Sequence, residues 1–130
     1  MNEFSKALSI SSSGLKAQAT RLRHVSENIA NADTPGYRRK SVPFRAEADP
    51  STGVAQIETG KVTLDRSDLK QIYDPSHPLA DSSGHYQGSN VDLIIEIADA
   101  REAQRSYEAN LKMFEQTRKM SASLLDLLRR

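Results

Sequence analysis

Asn28–Lys40 reads NIANADTPGYRRK, and within it a helix-forming pattern stops abruptly. Upstream of it Leu8, Leu15, Leu22 and Ile29 recur at a strict seven-residue interval, with Phe4 and Val25 on the companion seam. Only a helix gathers those positions on one stripe, and a seven-residue repeat favours packing against another helix. Pro35 then has no N–H to donate and pushes Thr34 into extended geometry. Gly36 supplies the positive φ that an x-Pro-Gly-x turn requires, so the residues predict a turn there. Asn28, Asn31 and Asp33 compete with the helix by bonding their own backbone. A helix whose direction of exit is specified this tightly is expected to belong to an assembly.

The rest of the chain divides around that turn. All five prolines and five of the six glycines lie between residues 35 and 88, leaving both flanks nearly free of helix breakers. The expected organisation is an N-terminal heptad helix over 1–34, a turn, β-hairpin and extended connector over 35–88, and a C-terminal amphipathic helix over 89–130. Gly14 interrupts the first helix in a poorly helical stretch, SISSSG. It reads first as a fray point near which the helix begins, and second as a place where a neighbouring helix comes close. In the middle, residues 54–58 and 61–64 alternate in polarity around Thr59-Gly60 and predict a hairpin. Beyond Asp74-Pro75 and His77-Pro78 an extended connector is expected.

Ser89 is the expected cap of the C-terminal helix, with Asp92 three residues on. From there Leu93, Ile97, Ala100, Tyr107, Leu111, Phe114, Leu125 and Leu128 build one stripe, with Met113, Met120, Leu124 and Leu127 beside it. A face that wide implies several helix neighbours. Glu108 with Lys112, and Glu115 with Lys119, have the spacing for supporting ion pairs. About 38 helical residues would run nearly 60 Å, beyond a globule whose radius of gyration would be near 14 Å. The fold class expected is mainly α, with two long terminal helices pairing as an antiparallel coiled coil and a small β-hairpin or extended middle. Such subunits, stacked with a rotation, would form a heterologous tube.

Composition sets the limits. Hydrophobic residues make up 37% of the 130, below the roughly 45–50% of ordinary domains, so the core is expected to need neighbours. A net charge of +1 gives no general pull toward nucleic acid or anionic lipid. The absence of cysteine excludes disulfides and thiolate chemistry. No stretch approaches the roughly 20 apolar residues of a membrane span, and the polar start does not read as a cleavable signal. His77 and His85 with Asp74 and Asp81 lack fixed metal-ligand spacing and read as solvated loop residues. No phosphate loop or nucleophile motif is present, so no catalytic residue, cofactor, metal or small-molecule substrate is expected. Arg38, Arg39 and Lys40, with Arg21 and Arg23, make the first forty residues basic while the middle is acidic. They read as a solvated face pairing with an acidic neighbouring subunit rather than as a nucleic-acid site.

The turn and the C-terminal segment together closely resemble the axial proteins of the bacterial flagellum. In that family a heptad helix runs into an Ala-Asn-x-x-Thr-Pro-Gly-Tyr turn, here Ala30 to Tyr37, and GSNVDLIIEIADAREAQRSYEAN at 88–110 resembles the family's tail. The chain length, with YDPSHPLAD at 73–81 and GHYQGSNVD at 84–92, is most similar to the short proximal-rod branch of the basal-body rod family. The resemblance implies a structural, non-enzymatic subunit that polymerises with itself and other rod proteins into a torque-carrying tube through which later subunits pass. It also implies contacts with a rod-to-motor junction protein and the flagellar export apparatus. The implied location is the periplasmic rod of the basal body, reached without signal cleavage or membrane insertion. Within it the implied assembly interface is Leu8, Leu15, Leu22, Val25, Ile29, Leu93, Ile97, Tyr107, Leu111, Phe114, Leu125 and Leu128. Asn31, Thr34, Pro35, Gly36 and Tyr37 would set the exit geometry, and Phe4 with Leu8 resembles a short export signal. The alternatives are another axial protein, such as a second proximal-rod subunit, and a cytoplasmic coiled-coil adaptor.

Overall fold

A computed structural model describes residues 2–129. Two helices, α1 (Glu3–Ala30) and α2 (Leu93–Leu128), flank six short strands. The strands are β1 (Lys40–Ser41), β2 (Phe44–Ala48), β3 (Ala55–Thr59), β4 (Thr63–Leu64), β5 (Gln71–Tyr73) and β6 (His85–Gln87). Contacts along the helices run in opposite senses. Asn28 meets Glu96, Arg21 meets Asp99 and Glu102, and Gly14 meets Asn110. Phe4 lies beside the stretch of α2 from Gln116 to Leu127.

α1 starts at its first turn, where the Asn2 side chain accepts from the Ser5 N–H at 2.7 Å. Gly14 is therefore no fray point. It is buried eleven residues inside α1, and a Cβ there would come within 3.0 Å of the Asn110 side chain. Its second reading is the one the structure supports: glycine admits the close passage of another helix. The face of α1 turned to α2 is built from small and polar residues, Ser11, Gly14, Ala17 and Asn28 among them, and α2 answers with Glu96 and Ala103. Small residues win this seam because they let the backbones approach, while the leucines flank it.

Asp92, not Ser89, caps α2. Its carboxylate accepts from the Ile94 N–H at 3.0 Å, and its carbonyl takes the first helical bond from Glu96. Ser89 is engaged elsewhere: its hydroxyl donates to the Ala32 carbonyl, and its carbonyl accepts from Lys70 N–H. That bonding holds residues 89–91 extended, so the helix cannot begin there. The expected ion pairs Glu108–Lys112 and Glu115–Lys119 are not closed among the described residues; the ion pairs that α2 makes lie toward its start.

The middle forms three two-stranded antiparallel ribbons, β1–β4, β2–β3 and β5–β6. The expected hairpin around Thr59-Gly60 is not formed. β3 pairs with β2 instead, with Ala46 opposite Ile57, across a turn at Asp49–Gly53 in which Gly53 has φ +71°. Residues 63–64 close on Lys40 and Ser41. The expected extended connector likewise folds back, because β5 and β6 pair across the Asp74–Gly84 loop. Within that loop His77 stacks on Tyr86 at 3.8 Å.

A single device recurs through the middle: Asp49, Asp65, Asp74 and Asp81 each accept the N–H of the serine two residues on. In Asp49, Asp74 and Asp81 the serine hydroxyl donates as well, and that bond is the main reason these carboxylates titrate below the usual range. For Asp65 the Ser67 backbone bond leads. A depressed folded pKa contributes stability that is complete above the unfolded value, about 3.9, and is lost as pH falls through the folded values. The ribbons are therefore expected to loosen below about pH 4, read as loss of amide-exchange protection at Ser51, Ser67, Ser76 and Ser83. Protection that survives well below that range would refute the account.

Candidate functional site: the turn junction and the helix faces

Asn31 ends α1 by donating from both its backbone N–H (3.1 Å) and its side-chain amide (2.8 Å) to the Glu27 carbonyl. Thr34 donates its hydroxyl to the Asn31 side chain at 3.1 Å. The Tyr37 N–H then closes on the Thr34 carbonyl at 3.2 Å, across Pro35 and a Gly36 with φ +76°. That is a type II turn, with proline and glycine in the two central places that need them. Gly36 N–H also donates to Gly88 O at 3.1 Å, tying the turn to the strand that leads into α2. The structure brings the five turn residues named from the sequence together in one segment.

Beneath the turn lies a buried polar cluster that sequence reasoning missed. Asn28 is fully buried. Its amide donates to Lys40 O (2.9 Å) and Glu96 Oε2 (3.3 Å), and its carbonyl accepts from Tyr37 Oη (2.8 Å) and Lys40 N (2.9 Å). One asparagine so fastens helix, turn, β1 and α2. Asn90 does the same on the far side, accepting from Arg39 N (2.7 Å) and donating to Asp65 O (2.9 Å).

Arg38, Arg39 and Lys40 find partners within the chain. Arg39 Nε bonds the fully buried Glu96 carboxylate, and its other arm reaches Asp99 at 2.8 Å. Arg38 donates to the carbonyls of Asp65 and Ser67, and Lys40 pairs with Glu27 at 3.0 Å. Burial works against the Arg39 charge, but the bond to Glu96 and the fields of Glu96 and Asp99 outweigh it and raise its pKa. The mutual hydrogen bond lowers the Glu27 pKa and raises that of Lys40. Desolvation chiefly raises the Tyr37 phenol, keeping it a donor to Asn28. Arg39→Ala would strand the Glu96 carboxylate and is expected to cost about 3 kcal/mol, measured by urea unfolding. A loss below about 1 kcal/mol would reduce the pair to a surface contact. The signal in the sequence was Glu96 itself, an acid inside the apolar run LIIEI and seven residues before Ala103 on the same helix face.

The foreseen interface residues fall into two groups. Val25 is buried; Leu8, Leu15, Leu22, Tyr107 and Phe114 are half-buried along the flanks of the seam. Ile29, Leu93, Ile97, Leu111, Leu125 and Leu128 are exposed, as are Ile94, Ile95, Met113, Met120, Leu124 and Leu127. Phe4 sits half-buried in an apolar groove with Met120, Leu124 and Leu127, and Leu8 lies one turn further along α1. The buried apolar core is correspondingly thin: Ala17, Val25, Ala32, Val54, Val91 and Ala103. Among the described residues no helix is long and apolar enough to cross a membrane. Among the described residues no three His, Cys, Asp or Glu side chains gather as a metal site.

Comparison with known proteins places the chain by its sequence. Residues 8–38 match the family described as flagella basal body rod protein. Residues 82–127 match the flagellar basal body rod FlgEFG protein C-terminal family. The flagellar basal-body rod protein FlgC of Agrobacterium fabrum is 50% identical over 99% of this chain and 98% of its own length. The proteins of that name from Salmonella typhimurium and Bacillus subtilis are 33% and 32% identical, over 91% and 93% of this chain and 92% and 95% of their own lengths. On identity that runs from end to end, the chain belongs to the FlgC family of flagellar basal-body rod proteins.

Proposed function

We propose that this chain is a structural subunit of the bacterial flagellar basal-body rod, with no catalytic role. The observation that carries the reading is the 50% identity to a basal-body rod protein over 99% of the chain. In this reading α1 and α2 pack as an antiparallel coiled coil, and their outer apolar faces are covered by further copies and by other rod proteins. Ile97, Leu111 and Leu125 repeat at fourteen-residue intervals along α2 and all three are exposed, which supports one continuous outward line of apolar contact. The resulting tube transmits torque and conducts later subunits outward. The rod-to-motor junction protein and the flagellar export apparatus are the remaining partners, and the chain reaches its periplasmic place uncleaved. The turn at Thr34–Tyr37 and the Asn28 cluster fix the angle at which the middle ribbons leave the helices.

Mass spectrometry of detergent-purified hook–basal bodies tests the reading. The chain is expected there at a few copies per particle with its N-terminus intact. Its confinement to the soluble cytoplasm would overturn the rod reading in favour of a helical adaptor.

A further inference from the structure

The β2–β3 ribbon stands on α1 by one edge and leaves the other open. Ile57 N–H turns away from β2 and donates to Ser13 Oγ at 3.0 Å, and Gln56 reaches Ser9, so β3 is the strand that meets the helix. Gly60 N–H donates to the Pro43 carbonyl at 2.8 Å, and Asp49 N–H to the Val54 carbonyl at 2.9 Å. With Arg45 opposite Glu58 and Glu47 opposite Gln56, the bonds inside the ribbon fall on residues 43, 45, 47 and 49. Alternation then turns the N–H and C=O groups of Phe44, Ala46 and Ala48 to the outer edge. Among the described residues no strand pairs there, and every residue of β2 is exposed. An unpaired edge is a template for another strand, and two strands alone are marginal in water.

We propose that this edge binds the same edge of a second copy of the chain, β2 against β2, antiparallel and centred on Ala46. The order Phe44-Arg45-Ala46-Glu47-Ala48 selects that occupant. In this register Ala46 meets Ala46, Phe44 of each copy meets Ala48 of the other, and Arg45 of each meets Glu47 of the other. The outward N–H and C=O groups of Phe44, Ala46 and Ala48 all find partners. Arg45 and Glu47 fall at the non-hydrogen-bonded sites, where opposed Cα atoms approach to about 4.5 Å and side chains are closest. Each Arg45 then lies between Glu58 of its own ribbon and Glu47 of the other copy, while Glu47 has the neutral Gln56 on its other side. A slip of two residues sets Arg45 on Arg45, or Glu47 on Glu47, at the centre, so charge fixes the register. The contact is isologous and closes at two copies. It therefore describes the free chain, is separate from the heterologous contacts of a tube, and does not depend on the rod reading.

The chain contains no cysteine, so introduced thiols report without background. Ala46→Cys in the full-length chain places two thiols across the two-fold, with Cα atoms about 5.5 Å apart, inside the roughly 4.4–6.8 Å that a disulfide spans. Purified and mildly oxidised, this variant is expected to run as a dimer without reductant. Phe44→Cys and Ala48→Cys are each expected to stay monomeric alone, because like positions lie about 13 Å apart along the paired strands, and to crosslink when mixed. Added to Ala46→Cys, either Arg45→Glu or Glu47→Arg is expected to weaken crosslinking about tenfold. Mixing those two variants is expected to restore it, as a heterodimer. Failure of Ala46→Cys to crosslink, equal crosslinking by Ala48→Cys alone, or no rescue on mixing would overturn the proposal. Hydrogen exchange on the unsubstituted chain is the second measurement. The Arg45 and Glu47 N–H groups are expected to be protected at every concentration, and those of Phe44, Ala46 and Ala48 to gain protection only as concentration rises. Exchange at Phe44, Ala46 and Ala48 that ignores concentration would overturn the contact, and unprotected Arg45 and Glu47 would remove the ribbon on which it stands.

Discussion

Asn28→Leu is expected to destabilise the fold by about 5 kcal/mol, a large share of the roughly 5–15 kcal/mol that holds a small domain together. Leucine is close to asparagine in size, so the effect does not come from a cavity. It comes from Tyr37 Oη, Lys40 N–H, the Lys40 carbonyl and the Glu96 carboxylate, all of which lose a partner at once. Each buried group left unsatisfied costs about 1–3 kcal/mol, and partial hydration after local opening keeps the total below the simple sum. Urea unfolding followed by circular dichroism measures it, with the midpoint falling and the slope unchanged. Asn28→Asp separates the contributions, because it retains the two accepted bonds and sets a second carboxylate against Glu96. If Asn28→Leu cost less than about 1 kcal/mol, the junction would be held by the helix seam and not by this amide.

Leu111→Asp is expected to abolish swimming while leaving the subunit folded. Leu111 is 36% exposed in the single chain, so the change should shift the stability of the isolated protein by no more than about 1 kcal/mol. In the proposed assembly the same position is dry, and an unpaired carboxylate there carries a desolvation cost of several kcal/mol at every repeated interface. Motility in soft agar, with immunoblots for the chain and for its presence in hook–basal bodies, distinguishes the two effects. Normal swimming would remove the line Ile97–Leu111–Leu125 from the interface.

The helices were legible because their signal is redundant: the seven-residue repeat of α1 and the wide stripe of α2 survive any single ambiguous residue. The turn was legible because Pro35 and Gly36 each permit little else. What stayed hidden involved pairing at a distance. Lys40 and Ser41 find Leu64 and Thr63, and Gln71–Tyr73 find His85–Gln87, through strands of two or three residues too short to display alternation. The local cue at Thr59-Gly60 lost to the tighter fit of Phe44–Ala48 against Ala55–Thr59. The stripe residues were legible as a stripe, but not which of them the seam between the two helices would use. The seam chose Gly14, Ala17 and Ala103, and left most of the large residues of α2 outward. The Asn28–Arg39–Glu96 cluster escaped because polar residues read singly look solvated, and only the fold shows that they converge.

The cluster around Asn28 also sets an order of events. Its members come from residues 28, 37–40, 90 and 96, so the amide of Asn28 waits for a carboxylate 68 positions later. A chain that emerges N-terminus first, from a ribosome or from any narrow conduit, cannot close that junction until about three-quarters of its length is free. Until then α1 has its local bonds to Tyr37 and Lys40 but no partner helix, and a helix without packing is marginal in water. The middle ribbons can form as they appear, but nothing yet fixes the angle at which they stand. Rigidity therefore arrives late and all at once, after the arrival of Glu96. A subunit truncated before that residue would keep its turn and lose its shape.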